Sequence, residues 1–234
     1  MARCPAGRYT EGQKPGRPLV PGLSASQGRG ALADEEAHVT DLMRPGTALL
    51  VIDLQECGRM SADEAGIGLM PGFEDVVRRT GTAVAAFRAA GLPVLFSQEV
   101  HRPDLLDIGR ELDGVEGVHC VDGRPGTELV AELRPQSDEH LVRKRRYSCF
   151  VGTDLAIVLR GMRVDTLVLA GSLTDVCVHY TFADAHQLDL HVRVLADCVI
   201  GSSQDAHDAA LRAMAYLQRD ALLTSSDLPA LATA

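Results

Sequence analysis

From residue 47 to residue 225 the chain alternates between two kinds of segment, and that alternation restricts the fold more than any other feature of the sequence. Short, mainly apolar runs, TALLVID (47–53), LPVLFSQ (92–98), TLVLAG (166–171) and HVRVLAD (191–197), are bounded by turn residues. A strand that is apolar on both alternating sets of positions has no solvent face and is covered from both sides. HLVRK (140–144) and ALLTS (221–225) read as two further strands. Between them lie segments of helical spacing: 72–90, with Phe73, Val76, Val77, Val84 and Phe87 on one stripe; 154–162; a helix from near Asp175 to about Leu188; and the amphipathic 204–218. Strands that alternate with helices predict an α/β domain built on a doubly wound, open parallel sheet with helices on both faces. In such sheets ligands collect outside the carboxyl ends of the strands. The connection from about 99 to 139 is long for a compact domain and is expected to form a wall of that site.

The alternation begins at about residue 46, which sets the expected boundary between a domain of residues 46–234 and an N-terminal arm of residues 1–45. Residues 1–30 are rich in Pro and Gly and poor in aliphatics, so the arm is expected to be flexible, or to reflect a start placed too far upstream; 31–43 reads as a short acidic helix. A net charge of −9 argues against a nucleic-acid partner, which selects a basic face. No apolar run approaches the roughly 18 residues of a membrane span, and the N-terminus has no apolar signal core. The six cysteines show no C-x-x-C spacing, so free thiols and a cytoplasmic location are expected. Of the 23 basic residues only Lys14 and Lys144 are lysine, which makes Lys144, set within Arg143–Arg146, an exception in need of a reason.

Three reactive side chains fall at the predicted strand ends. Asp53 closes the first strand, Lys144 closes the third, and Cys177 follows the fourth through Gly171-Ser172-Leu173-Thr174-Asp175-Val176. A cysteine in the first turn of a helix meets unpaired N–H groups that favour a thiolate and can hold an oxyanion. A carboxylate can take the thiol proton and a lysine can offset the charge. The same residues also admit a purely structural reading, with Cys177 a small core side chain, Asp53 a cap and Lys144 a surface charge.

The segments ALLVIDLQ, KRRYSCFVGTDL and LVLAGSLTDVCVHYTFADA, in that order, resemble the isochorismatase-like cysteine hydrolase superfamily, over residues from about 46 to 225. The resemblance implies a catalytic triad of Asp53, Lys144 and Cys177, a cis peptide at Ser172–Leu173 and an oxyanion hole made by the backbone N–H groups of Leu173 and Cys177. It further implies hydrolysis of a small carboxamide or ureido compound through a thioester, with no cofactor required by the triad, and a homo-oligomer. Isochorismate-cleaving members lack the cysteine, so Cys177 points to C–N hydrolysis. A metal-assisted nicotinamidase-like hydrolase is the enzymatic alternative, and a non-catalytic relative that binds a small molecule or partner in the same cleft is the alternative of another class.

The same resemblance bears on a metal. Nicotinamidases of the superfamily carry an Asp-x-His pair and a later His-Cys before a Pro-Gly turn, which hold a metal ion. Here the corresponding residues are Glu99-Val100-His101 and His119-Cys120-Val121, before Pro125-Gly126. A Glu99, His101 and His119 set, with Asp107 as a possible addition, suits Zn²⁺ or Fe²⁺; alternatively these groups only order the loop, with Arg102 and Arg110 as partners. Gln55, Tyr147 and Phe150 are candidate substrate contacts, although the last two are equally suited to the core, and Glu56-Cys57-Gly58 replaces the Asn-Asp-Phe common in the family. His179 and His186 read as structural.

Overall fold

The computed structural model describes residues 43–228. The acidic helix expected at 31–43 lies almost wholly outside the described residues, as does most of the N-terminal arm. Six parallel strands, β1 (Thr47–Ile52), β2 (Val94–Glu99), β3 (His140–Lys144), β4 (Thr166–Ser172), β5 (His191–Ile200) and β6 (Leu222–Leu223), form one sheet in the order β3-β2-β1-β4-β5-β6. The helices are a short α1 (Ala62–Ala65), then α2 (Phe73–Ala89), α3 (Leu155–Gly161), α4 (His179–Gln187) and α5 (Gln204–Leu217).

Side-chain alternation along each strand divides the core into two layers. Leu49 and Val51 of β1, with Phe96 and Val168, face the α2 stripe of Phe73, Val76, Val77, Val84 and Phe87. Ala48, Leu50 and Ile52 face the other way, toward Leu155 and Leu159 of α3, Phe182 of α4 and Met214 of α5. All six residues of β1 are buried, which is why the run carries no polar alternation. No helix among the described residues is long and apolar enough to cross a membrane.

The chain builds outward from β1 through β2 to β3, then returns to lay β4 on the other side of β1. That reversal leaves a crevice beyond the carboxyl ends of β1 and β4. The two strands run in register to Ile52 opposite Gly171. Gly171 has φ +125°, and a Cβ there would stand 1.9 Å from the Ile52 carbonyl oxygen. Backbone cannot yield as a flexible side chain can. Gly171→Ala is therefore expected to destabilise the domain by roughly 3 kcal/mol or more, read as a lowered urea midpoint; an unchanged midpoint would contradict the register described.

Candidate active site

Asp53 leaves β1 in a left-handed conformation (φ +46°), which Asp tolerates better than most residues. This turn carries its carboxylate across the crevice, where Ser97 Oγ donates to Oδ1 at 2.8 Å. Lys144 is the last residue of β3 and is 1% exposed. Its Nζ makes an ion contact of 2.7 Å with Asp53 Oδ2 and donates hydrogen bonds to Glu99 Oε2 at 2.7 Å and to Cys177 Sγ at 3.3 Å. Two of the three ammonium protons are thus donated, to Glu99 and Cys177, while Asp53 Oδ2 stands at ion-pair distance without an aligned hydrogen bond.

Cys177 sits in a π-helical turn, Thr174–Val178, rather than the ordinary helical turn expected; the turn is closed by Val178 N–H on the Leu173 carbonyl at 3.0 Å. The preceding Ser172–Leu173 peptide is cis. The Thr174-Asp175 pair ties this turn to the start of α5. Ser202 donates to Asp175 from its N–H at 2.9 Å and its hydroxyl at 2.6 Å, and Thr174 Oγ1 shares a 2.9 Å hydrogen bond with His207 Nδ1. The Cys177 thiol donates to Glu99 Oε2 at 3.6 Å.

The electrostatics follow from burial and from these neighbours. Burial pushes the Cys177 thiol well above its ordinary range; Lys144 opposes this, while Asp53 and Glu99 add to it. The resting group is therefore a thiol and needs a base. Burial also raises the Asp53 carboxyl, against the pull of Lys144. For Glu99, burial pushes upward but Lys144 and the imidazoles of His101 and His119 prevail, holding it well below the usual carboxylate range. Burial would discharge Lys144, yet Asp53, Cys177 and Glu99 keep its pKa well above the ordinary value.

Glu99 also faces a second cluster. Its Oε1 lies 2.9 Å from His119 Nε2 and 3.5 Å from His101 Nε2. Glu111, which nothing local in the sequence marks, completes this group with Oε2 at 3.0 Å from His101 Nε2. The donor atoms of Glu99, His101, Glu111 and His119 lie within 4.8 Å of one another and all four residues are buried. Neither ring nitrogen of His101 and neither oxygen of Glu111 makes a hydrogen bond. Unpaired buried polar atoms cost about 1–3 kcal/mol each, and a bound cation would satisfy them, so the residues present fit a divalent metal. Asp107 lies at the edge of the set, 3.7 Å from His101 Nδ1, but it receives Arg102 N–H at 2.9 Å and Arg145 Nε at 2.7 Å and orders the loop. Arg110 pairs with Asp113 rather than with this group.

A cavity of about 300 Å³ opens beside Cys177, lined in part by Asp53, Glu99, His119 and Tyr147. Residues 116–120 of the long connection contribute Glu116, His119 and Cys120 to its wall. Two expected substrate contacts are placed differently. Gln55 touches the cavity, but its amide is spent on backbone: Nε2 donates to Glu99 O at 3.0 Å and Thr127 O at 2.7 Å, and Oε1 accepts from Glu99 N–H at 3.0 Å. Phe150 does not line the cavity; the turn after β3 carries it away to pack with Leu159 and Leu190 in the other core layer. His179 and His186 stack on Tyr180 and Phe182. The five described cysteines form no disulfide.

This chain belongs to the family defined by the isochorismatase domain, which matches residues 47–227. Within that family it is 34% identical over 192 residues to the ureidoacrylate amidohydrolase RutB of Pseudomonas savastanoi pv. phaseolicola (strain 1448A / Race 6), covering 72% of this chain and 77% of that protein. Its fold is similar to that of an N-carbamoylsarcosine amidase from Thermoplasma acidophilum (TM-score 0.63, 29% identity, 79% of this chain and 99% of that one). It is also similar to the pyrazinamidase of Pyrococcus horikoshii in complex with zinc (TM-score 0.63, 26% identity, 77% and 98% covered). The chain is thus a member of the isochorismatase-like cysteine hydrolase superfamily.

Proposed function

We propose that the chain is an amidohydrolase of small carboxamide or ureido compounds in which Cys177 forms a thioester. The observation that carries this reading is the meeting of Asp53, Lys144 and Cys177 at the sheet's switch point, beside a cavity of ligand size. Asp53, the carboxylate whose pKa is raised, takes the thiol proton; Glu99, held far below the ordinary range, is the poorer base although it is nearer in hydrogen-bond terms. Lys144 stabilises the thiolate, which attacks the carbonyl carbon. The backbone N–H groups of Leu173 and Cys177 receive the oxyanion. Asp53 returns the proton to the leaving nitrogen, and water then hydrolyses the thioester.

The test is ammonia release from a panel of primary carboxamides and ureido compounds by the purified chain. Turnover of any of them supports the reading. Binding of such compounds with every one recovered intact would instead support a non-catalytic binder.

The convergence of four buried ligand residues, with His101 and Glu111 in ion contact but without an aligned hydrogen bond, favours a second feature, a metal held by Glu99, His101, Glu111 and His119. When bound, it would supply a Lewis acid beside the cavity. Burial pushes both imidazoles down, but Glu111 and Glu99 raise His101 to about 9, and Glu99 raises His119 to about 9. Folded pKa values above the unfolded value of 6.5 mean that this stabilisation is complete below pH 6.5 and is lost as pH rises through about 9. Metal displaces those protons. In EDTA the melting temperature is expected to fall between pH 6.5 and about 9, and with stoichiometric zinc to hold over that window. Superimposable profiles would exclude the site.

A further inference from the structure

The charged groups on the cavity wall indicate which substrates it admits. Much of the rest of the wall is apolar, formed by Ile67, Leu69, Met70, Phe73 and Val176. The acidic groups on it are Asp53, Glu99 and Glu116, and among the described residues no arginine or lysine lines it. Asp53 and Glu99 are neutralised from behind by Lys144. His119 has no free donor for a ligand, because Nδ1 lies 2.7 Å from the Gly117 carbonyl and Nε2 lies 2.9 Å from Glu99.

Glu116 is different. It is half-buried on the wall, held by a loop whose Gly117 N–H bonds the Gly66 carbonyl at 2.6 Å. It makes no hydrogen bond and no ion pair with any described residue. Burial raises its carboxyl, with Glu99 and Glu111 acting in the same direction and His119 opposing. A ligand carboxylate beside Glu116 would lose its water next to a like charge, with no arginine or lysine on the wall to receive it, an expensive arrangement. A ligand ammonium would give Glu116 the partner it lacks.

From this geometry we infer that Glu116 is a specificity-determining residue that selects carboxamides with an apolar tail ending in a cationic group, and excludes those ending in a carboxylate. The inference rests on the hydrolase reading above and narrows its substrate class. It sets this chain apart from relatives named for ureidoacrylate, which is itself an acid.

The test uses three linear primary carboxamides of matched length, ending in an ammonium, a methyl or a carboxylate. For the wild-type chain kcat/KM is expected to fall in that order, with roughly tenfold or more between the first and the last. Glu116→Gln should bring the ammonium and methyl compounds within about twofold of each other, and Glu116→Arg should reverse the order. The inference is overturned if the acid is the equal of the methyl compound in the wild type, or if Glu116→Arg leaves the order intact. Affinities for Cys177→Ala, measured by calorimetry, separate the two readings. The same order of Kd without any wild-type turnover would sink the hydrolase reading alone. Equal affinities, or no binding of any of the three, would sink this inference.

Discussion

Replacing Lys144 by methionine is expected to destabilise the domain by about 3–5 kcal/mol at neutral pH and to abolish turnover. The fully buried ammonium lies 2.7 Å from both Asp53 and Glu99. Removing it leaves two buried carboxylates facing one another with no cation between them, and at the domain's size the loss corresponds to a melting temperature lower by roughly 10 °C. The sign of the pH dependence identifies the cause. In the wild type, Glu99 is held below its ordinary pKa, so its contribution is present above the ordinary carboxylate range and is lost as pH falls through the depressed value. In Lys144→Met the paired charge is gone and acid should partly restore stability by protonating one carboxylate. A variant as stable as the wild type at pH 7 would mean that the ammonium is not buried as described. Lys144→Arg keeps the charge but replaces a compact tetrahedral donor by a planar fork too wide for the space between Asp53, Glu99 and Cys177. It is expected to fold better than the methionine variant and to remain severely impaired in turnover.

The second large effect is at the nucleophile. Cys177→Ala is expected to lower kcat/KM by about 10³-fold or more, because no other thiol on the wall is held by Lys144. Cys57 and Cys120 also touch the cavity, but they pack against each other and Ala65. The fold should survive: the cysteine is buried, yet the turn that carries it is anchored by Asp175 on Ser202 and Thr174 on His207 rather than by the thiol. An unchanged circular dichroism spectrum with turnover lost is the expected pair of results. Retained turnover would move the chemistry to one of the other two thiols.

Much of this arrangement is legible in the sequence because strand ends are. An apolar run followed by a polar reactive residue marks both a buried strand and the place where it emerges, and Asp53 follows that rule directly; Lys144 ends a strand that is only partly apolar, and Cys177 lies in the turn after β4. Their convergence needs only the chain reversal that puts β4 beside β1. The rarity of lysine adds a signal of its own, since among the described residues Lys144 is the only one. What escapes the sequence depends on long-range closure. Glu111 sits in a short turn of the long connection, with no local pattern to distinguish it from Asp107, and only the fold of that loop carries it to His101. Glu99 is legible as a possible ligand, but its bridging position between the lysine and the histidines follows from β2 ending at the same level as β3. Gln55 looks like a substrate donor until its amide is seen pinned to Glu99 and Thr127. Of the two readings open for Phe150, pocket or core, the turn after β3 takes the core one.

The central claim is that Cys177 carries the acyl group, and the most direct measurement is mass spectrometry of the chain quenched in acid during turnover of a carboxamide. A mass increase equal to the acyl residue is expected, confined to the peptide that contains Cys177 and abolished by hydroxylamine. Sustained ammonia release with no adduct on that peptide, or with the adduct on Cys57 or Cys120, would contradict it.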